Sequence, residues 1–480
     1  MTTKSSRPRD HRWAALFVLC GGSLMIVLDS TIVNVALPAI RDSLHFTPNA
    51  LAWVVNAYLL TFGGFLLLGG RLGDLFGHKK VFMLGLILFT AASLLCGLSQ
   101  SAVMLTIARA IQGLGGAVVS AVGLSLIMDL FVKPDDRAKA MGVFGFVSAG
   151  GGSIGVLLGG VLTNYLSWHW IFLVNVPLGI VIYLLAKKYL PAARESDAPK
   201  HLDAAGAVTI TATLLLAVYA VVNGNVAGWV SAQTLGMLAA AALLLAIFLR
   251  IESRSHRPLM PLSMFKLRNL ATANIVAVLW AAAMFAWFFL SALYLGSILG
   301  FRPLQVGLSF LPANIIMAVF SLGLSARLVN RFGIKKPLVV GLAVAACGLL
   351  WFARTRVDGS FIVDVLPGML LLGFGAGTAF NPMLLAAMNG VKPQDSGLAS
   401  GIVNTSFMMG GALGLAILTS IAAAVTSHLL ATHHTQLAAL NSGFNAAFLV
   451  GAIFALLGAA LGGFLIKADK AYPEHAPIVH

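Results

Sequence analysis

Long runs without a single charge set the strongest limit on how this chain can fold. Val81 to Ala108, Ala140 to Ala186, Ala204 to Leu249 and Ser396 to Ile466 contain no Asp, Glu, Lys or Arg. A bilayer core is crossed by about 20 apolar residues of helix, and in hydrocarbon the helix satisfies its own backbone groups. Several of these runs are long enough for two crossings. Composition agrees, with 59% hydrophobic and 10% charged residues and a mean hydropathy of +0.93, where soluble domains carry about a quarter charged residues. The chain reads as an all-α polytopic membrane protein.

Breaking the runs at charged, Gly, Pro and polar turns gives fourteen transmembrane helices, near residues 13–37, 50–70, 81–98, 102–130, 138–163, 168–187, 204–223, 233–250, 270–295, 304–325, 337–354, 361–385, 399–425 and 443–466. An even number puts both termini on one side, and the distribution of Lys and Arg says which. With the termini cytoplasmic, 26 of the 31 Lys and Arg lie in inside segments, against Arg41, Arg302, Arg354 and Arg356 outside and Arg109 within a span. The location expected is the cell (inner or plasma) membrane, multi-pass. Trp13 to Ile40 is long enough to span and lacks a small-residue cleavage site, so no cleavable signal peptide is expected. The formal charge of +15 marks loops, and no nucleic-acid partner is expected. Cys20, Cys96 and Cys347 lie in spans without disulfide or metal-ligand spacing, which makes them packing residues.

An internal repeat organises the helices. Arg71-Leu72, Phe76-Gly77 and Lys79-Lys80 recur as Arg327-Leu328, Phe332-Gly333 and Lys335-Lys336. Val132-Lys133-Pro134 with Asp136 recurs as Val391-Lys392-Pro393 with Asp395, and Gly142, Gly151, Gly152 and Gly155 return as Gly401, Gly410, Gly411 and Gly414. Two pseudo-symmetric six-helix bundles follow, residues 1–190 and 269–480, with a two-helix insert and its linkers at 191–268. Parallel repeats with a site between them are a transporter plan.

Asp29 is the only charge between Arg12 and Arg41, and an ionisable group at membrane depth is expensive and marks a functional site by default. At 1.5 Å per residue, Asp29 on the first helix and Arg109 on the fourth both sit on the order of 10 Å below the outer boundary, where they can face one another. The arginine stays charged, so the proton affinity of Asp29 depends on its separation from Arg109 and on its hydration. The pair is either a proton switch or a fixed structural ion pair. One charge crossing 100 mV is worth ~2.3 kcal/mol and one pH unit ~1.4 kcal/mol, enough to drive concentrative transport.

Leu28 to Pro38, the loop Gly70-Arg71-Leu72-Gly73-Asp74-Leu75-Phe76-Gly77-His78-Lys79-Lys80, Leu105 with Arg109, Gln112, Gly113 and Gly115, and Trp168 to Phe172 with Asn175 and Pro177 occur in this order. Together they resemble the major facilitator superfamily, and within it the fourteen-helix drug:proton antiporter branch. The resemblance covers essentially the whole chain. It implies a conformational latch of Gly70, Asp74, Gly77, His78, Lys79, Asp129 and Arg137, with Asp74 facing the start of the helix near Ala399 and His78 or Lys79 pairing with Asp129. The same loop also reads as a positive-inside turn that only sets topology. Gly142, Gly151, Gly155, Gly159 and Gly160 fit the antiporter motif of the fifth helix in spacing, although small residues every fourth position also serve ordinary helix packing. Val156 stands where that motif has proline, His169 where an arginine is common, and Phe407-Met408 where Arg-Gln is frequent. His169, near the outer surface, reads either as a group that titrates at physiological pH or, the expected role, as an aromatic-belt cap.

For a large, mainly apolar substrate cavity the candidates are Asn34, Trp53, Asn56, Tyr58, Trp280, Phe285, Trp287, Tyr294, Phe310, Asn314, Phe380, Asn381 and Met408, each of which also has a packing or lipid-facing alternative. No Walker loop and no Cys/His metal cluster is present in the sequence, so no metal and no cofactor beyond the proton gradient is expected, and the chain reads as a transporter rather than an enzyme. The expected activity is proton-coupled efflux of lipophilic or amphipathic compounds by alternating access, with lipid, protons and small lipophilic or cationic substrates as partners and a monomer as the working unit. The alternatives are a dedicated exporter of one endogenous metabolite and a non-transporting scaffold or sensor on the same fold.

Overall fold

Side-chain hydroxyls and one glutamine set where four of the membrane helices begin. In the computed structural model, which describes residues 12–131, 134–191, 204–255, 258, 261–391 and 396–467, the fourteen helices are α1 Arg12–Leu44, α2 Trp53–Phe76, α3 His78–Gly97, α4 Ala102–Leu130, α5 Pro134–Tyr165, α6 Asn175–Tyr189, α7 Ala204–Ala227, α8 Ala232–Arg254, α9 Arg268–Leu293, α10 Pro303–Val319, α11 Lys335–Phe352, α12 Leu366–Met388, α13 Ser396–Ala431 and α14 Gln436–Leu465. Ser101, Ser231 and Thr435 accept from the backbone N–H groups of Met104, Thr234 and Ala438 at the starts of α4, α8 and α14. Gln305 accepts from the N–H of Arg302 at the start of α10. Each removes an orphan donor that hydrocarbon would not solvate. All four caps lie at the same end of the bundle, opposite the end where α1 begins and α14 finishes; these are the opposite end and the terminal end.

Among the described residues, twelve helices are long and apolar enough to cross a membrane. The other two are α5, 32 residues long, and α10, whose 17 residues continue through a widened π turn at Phe320–Leu324 into Ser325–Phe332. The molecule is an all-α, multi-pass membrane protein. Its two six-helix bundles repeat the same pairings: α1 on α5 as α9 on α13, α2 on α4 as α10 on α12, and α3 on α4 as α11 on α12. Two seams join the bundles, α2 with α13 and α5 with α10, and α7 packs on both α2 and α13. Near the opposite end the bundles touch where Arg41 donates to Ser297 Oγ at 3.0 Å.

Helix limits differ from the sequence reading at the loop Gly70 to Lys80. Instead of a turn from Gly70 onward, α2 stays helical through Phe76, and the chain reverses at Gly77 alone, with φ +90°. Glycine takes that conformation without a Cβ penalty. Similarly, α13 and α14 run several residues beyond the expected 399–425 and 443–466, because small residues and capping hydroxyls carry helix into the interface. Cys20 and Cys96 are buried, while Cys347 is exposed on the bundle's flank.

Candidate functional site

Five helices bring polar groups to one point inside the first bundle. Asp29 lies midway along the unbroken α1, and Arg109 and Gln112, three residues apart, share a face of α4. An Arg109 Nη donates to Asp29 Oδ2 at 2.6 Å, with the two side chains 1% and 0% exposed. Gln112 Nε2 and Asn175 Nδ2, from α4 and α6, donate to Asp29 Oδ1 at 2.7 and 3.0 Å. Arg109 also donates through Nε to the Val54 carbonyl of α2 at 2.9 Å and to Gln112 Oε1 at 2.6 Å. Gln112 Nε2 reaches Ser93 Oγ of α3 at 2.7 Å, and Cys96 Sγ lies 3.6 Å from Gln112 Oε1. The guanidinium is covered by the rings of Tyr58 and Phe172, at 4.3 and 5.6 Å.

A buried ion pair recovers its desolvation cost only with good geometry and satisfied remaining bonds, and this cluster meets both conditions. Both carboxylate oxygens are used and the net charge is zero. Protonating Asp29 in place would leave Arg109 without its counter-ion in an apolar interior, so a proton can be accepted only together with water entry or helix movement. The depth estimate that let Asp29 and Arg109 face each other is realised as direct contact.

At the terminal end, His78 Nδ1 lies 2.9 Å from Asp129 Oδ2 and joins α3 to α4. Lys79 does not take that role; its Nζ donates to the carbonyls of Lys187 and Leu190 at 3.0 and 2.6 Å, neutralising the negative end of α6. Asp136 instead lies 3.8 Å from Arg12. The side chains of Asp74 and Arg137, together with Gly142, lie outside the described residues. His169 stacks on Trp168 with centroids 3.8 Å apart, and burial holds its imidazole below the usual value.

The glycines of α5 divide between two neighbours. Gly151 and Gly159 approach α1, where an added Cβ would stand 3.0 Å from Leu24 Cδ1 and 2.7 Å from the Ile32 carbonyl; Gly155 approaches Leu28 and Thr31. Gly160 faces Leu304 of α10 instead, and the Val156 carbonyl meets Gly307. One helix therefore touches both the turns flanking Asp29 and the other bundle.

The substrate candidates separate into groups. Phe285, Phe380 and Met408 are half-buried, and the first two lie 5.8 and 5.6 Å from Phe407. Trp280, Trp287, Tyr294 and Phe310 are at most 1% exposed, inside the second bundle, with Tyr294 donating to the Arg356 carbonyl. Trp53 packs on Tyr219 of α7 at 6.2 Å. Asn34 donates within α1 to Ser30. Asn56 and Asn314 are buried and Asn381 half-buried. Sequence reasoning missed Ser93, Cys96 and the Val54 carbonyl as members of the ion cluster. Gln112 and Asn175 stood in motifs but had no role there; their signal was a polar residue within an apolar helix at the depth of Asp29.

The sequence profile of the Major Facilitator Superfamily matches residues 19–415. A puromycin resistance protein of Streptomyces alboniger is 36% identical over 467 residues, covering 96% of this chain and 92% of the relative. A cephamycin export protein of Amycolatopsis lactamdurans is 36% identical, covering 96% and 93%. Among solved structures, a bacterial homologue of the human lysosomal transporter Spinster, in an inward-facing and unoccupied conformation, superposes with a TM-score of 0.69 at 14% identity, covering 98% of this chain and 100% of that one.

Proposed function

The chain belongs to the Major Facilitator Superfamily, and from that premise we propose that it exports lipophilic or amphipathic compounds in exchange for protons. Its relatives include antibiotic resistance and export proteins, which supports efflux of drug-like molecules. The termini are cytoplasmic, in keeping with the 26 to 4 asymmetry of Lys and Arg. The chain spans the cell membrane and works by alternating access, the bundle α1–α6 rocking against α9–α14.

One observation carries the coupling: a fully buried carboxylate whose only counter-ion, among the described residues, is a single arginine. Protonation forces that cluster to open. Because α5 packs by its glycines on α1 around Asp29 and by Gly160 on α10, repacking at Asp29 reaches the seam between the bundles. The cluster thereby couples one titration to one conformational change.

Reconstitution with an internal pH dye tests this reading. Lipophilic cations and neutral drugs added to the wild type evoke proton movement, and Asp29→Asn abolishes it. Equal signals in the two proteins remove Asp29 from the coupling role, and silence with every compound overturns drug:proton exchange.

A further inference from the structure

The two seams between the bundles are related by the repeat but are closed differently. Along α2 and α13 the insert forms a cover: Ser420 of α13 donates to the Val221 carbonyl of α7 at 2.8 Å, and Thr211 of α7 presses on Gly64 of α2. Along α5 and α10, among the described residues, neither insert helix packs as α7 does on α2 and α13. There Ile154 on α5 and Ile315 and Val319 on α10 are 52%, 54% and 52% exposed.

At the uncovered seam α10 also breaks. Gly323, within the π turn, has φ +140° and ψ −15°, a conformation L side chains rarely adopt. A Cβ added there would meet nothing within 4 Å, so the backbone, not lack of space, requires glycine. Above the break the helix is clamped: Gly307 lies against the Val156 carbonyl, and a Cβ on Gly377 of α12 would stand 2.7 Å from Phe320 Cβ. Below it, Ser325–Phe332 is a separate eight-residue helix ending at Gly333, φ +75°. Ser325 and Val329 are buried while Arg327 and Arg331 are exposed, the pattern of a segment lying at a headgroup boundary. The repeat gives α2 the same Arg, Leu, Phe and Gly ending, yet α2 runs unbroken from Trp53 to Phe76, so the break is not a property of the shared motif.

From this asymmetry we infer that lipophilic substrate reaches the space between the bundles sideways, out of the cytoplasmic leaflet, through the α5/α10 seam, with Ser325–Phe332 swinging about Gly323 as the gate. The inference rests on the export reading for its direction and substrate class. The insert confines this opening to one side by holding α2 and α13 together.

The full chain in proteoliposomes tests it with two measurements. Spin labels on Lys139→Cys with Leu324→Cys span the α5/α10 seam, by the antiparallel register carried down from Val156 and Gly307, and labels on Leu67→Cys with Ser400→Cys span the other. The α5/α10 pair shows two distance populations, and Gly323→Ala depopulates the bent one roughly tenfold or more, from the strain of a positive φ; the α2/α13 pair is unchanged. In transport, Gly323→Ala slows a bisbenzimide dye supplied in the bilayer by a similar factor and leaves the water-supplied dication propidium at the wild-type rate, while Gly236→Ala, a helical glycine with open surroundings, alters neither. Equal slowing of both dyes, or an unchanged α5/α10 distribution in Gly323→Ala, overturns the lateral gate. Failure of the export reading looks different: neither dye evokes proton movement in the wild type, and the distances alone then decide whether the hinge exists.

Discussion

The core of the first bundle and that of the second are built on the same backbone crossings but filled with opposite chemistry. Gly155 of α5 lies on Leu28 of α1, and Gly414 of α13 lies on Ala282 of α9, so Ala283 occupies the place of Asp29. Gly115 of α4 meets the Phe89 N–H and Gly375 of α12 meets that of Ala345, which places Met369 and Leu372 where Arg109 and Gln112 stand, and Leu349 and Phe352 where Ser93 and Cys96 stand. All five counterparts are apolar and at most 1% exposed. Around them Trp287 contacts Phe288, Phe310 and Phe352, and Phe352 contacts Phe448, with ring centroids 4.4 to 6.5 Å apart.

The repeat therefore preserves how helices cross and not what the crossings enclose. Close approach at a glycine fixes geometry in both bundles, while side chains between the crossings were free to diverge. Only the first bundle holds, among the described residues, a buried intramembrane ion pair that a proton can disturb. At the matching positions the second bundle encloses tightly packed aromatic and aliphatic side chains.

The sharpest way to break this contrast is to unbalance the ion cluster. Arg109→Ala leaves Asp29 buried without a counter-ion, which is expected to cost about 3–5 kcal/mol and to lower the detergent melting temperature strongly. Adding Asp29→Asn to Arg109→Ala removes the stranded charge and recovers part of the loss, without restoring proton coupling. If Arg109→Ala melts like wild type, Asp29 is solvated in the working protein and the two cores are less different than they look.

In the second bundle the matching test is Trp287→Ala. A large aromatic lost from a tight core costs about 3–5 kcal/mol; here the lower end is expected, since lipid offers no hydrophobic driving force. The contrast is in the readout: substrate-evoked proton movement persists in folded Trp287→Ala and not in Asp29→Asn. Loss of coupling in both would place titration and packing in one unit.

Much of this was legible in the sequence. The helix order, the repeat and the Asp29–Arg109 pairing follow from charge-free runs, a shared offset and residue depth, because hydrocarbon punishes exceptions to those rules severely. Ser93, Cys96 and the Val54 carbonyl were not legible, since one hydroxyl, thiol or carbonyl in an apolar helix looks like any other until its neighbours are placed. Trp280, Trp287 and Phe310 read equally as cavity or packing residues, because the side of a helix that is hydrophobic all round is chosen by its partners. Gly323 carried no signal among the chain's 50 glycines.

A smaller change probes the wiring of the cluster itself. Gln112→Leu imports into the first bundle the leucine that its counterpart Leu372 supplies in the second. Asp29 loses a donor and Ser93 a partner, at a cost of about 1–3 kcal/mol. Arg109 still neutralises Asp29, so the variant should fold, with substrate-evoked proton movement slowed relative to wild type. Wild-type proton movement in Gln112→Leu would assign Gln112 a packing role alone.

The smallest expected effect is at His169, which stands at the edge of the same core: its ring stacks on Trp168, and Phe172, three residues on, covers Arg109. Burial lowers the His169 pKa below the ordinary histidine value, so the folded state binds this proton more weakly than the unfolded chain does. Its contribution to stability is therefore present above the unfolded pKa and is lost as pH falls through the folded one. The ring is partly exposed, so the effect should stay below about 1 kcal/mol. Melting temperatures of the wild type and His169→Gln should run parallel above neutrality and converge or cross as pH falls below ~6.5. Acidification that favours the wild type instead would mean that His169 gains a carboxylate partner when charged. Proton movement evoked by substrate should be the same in both proteins, because the histidine titrates at the rim of the bundle, whereas coupling requires a proton whose arrival the core cannot absorb without moving.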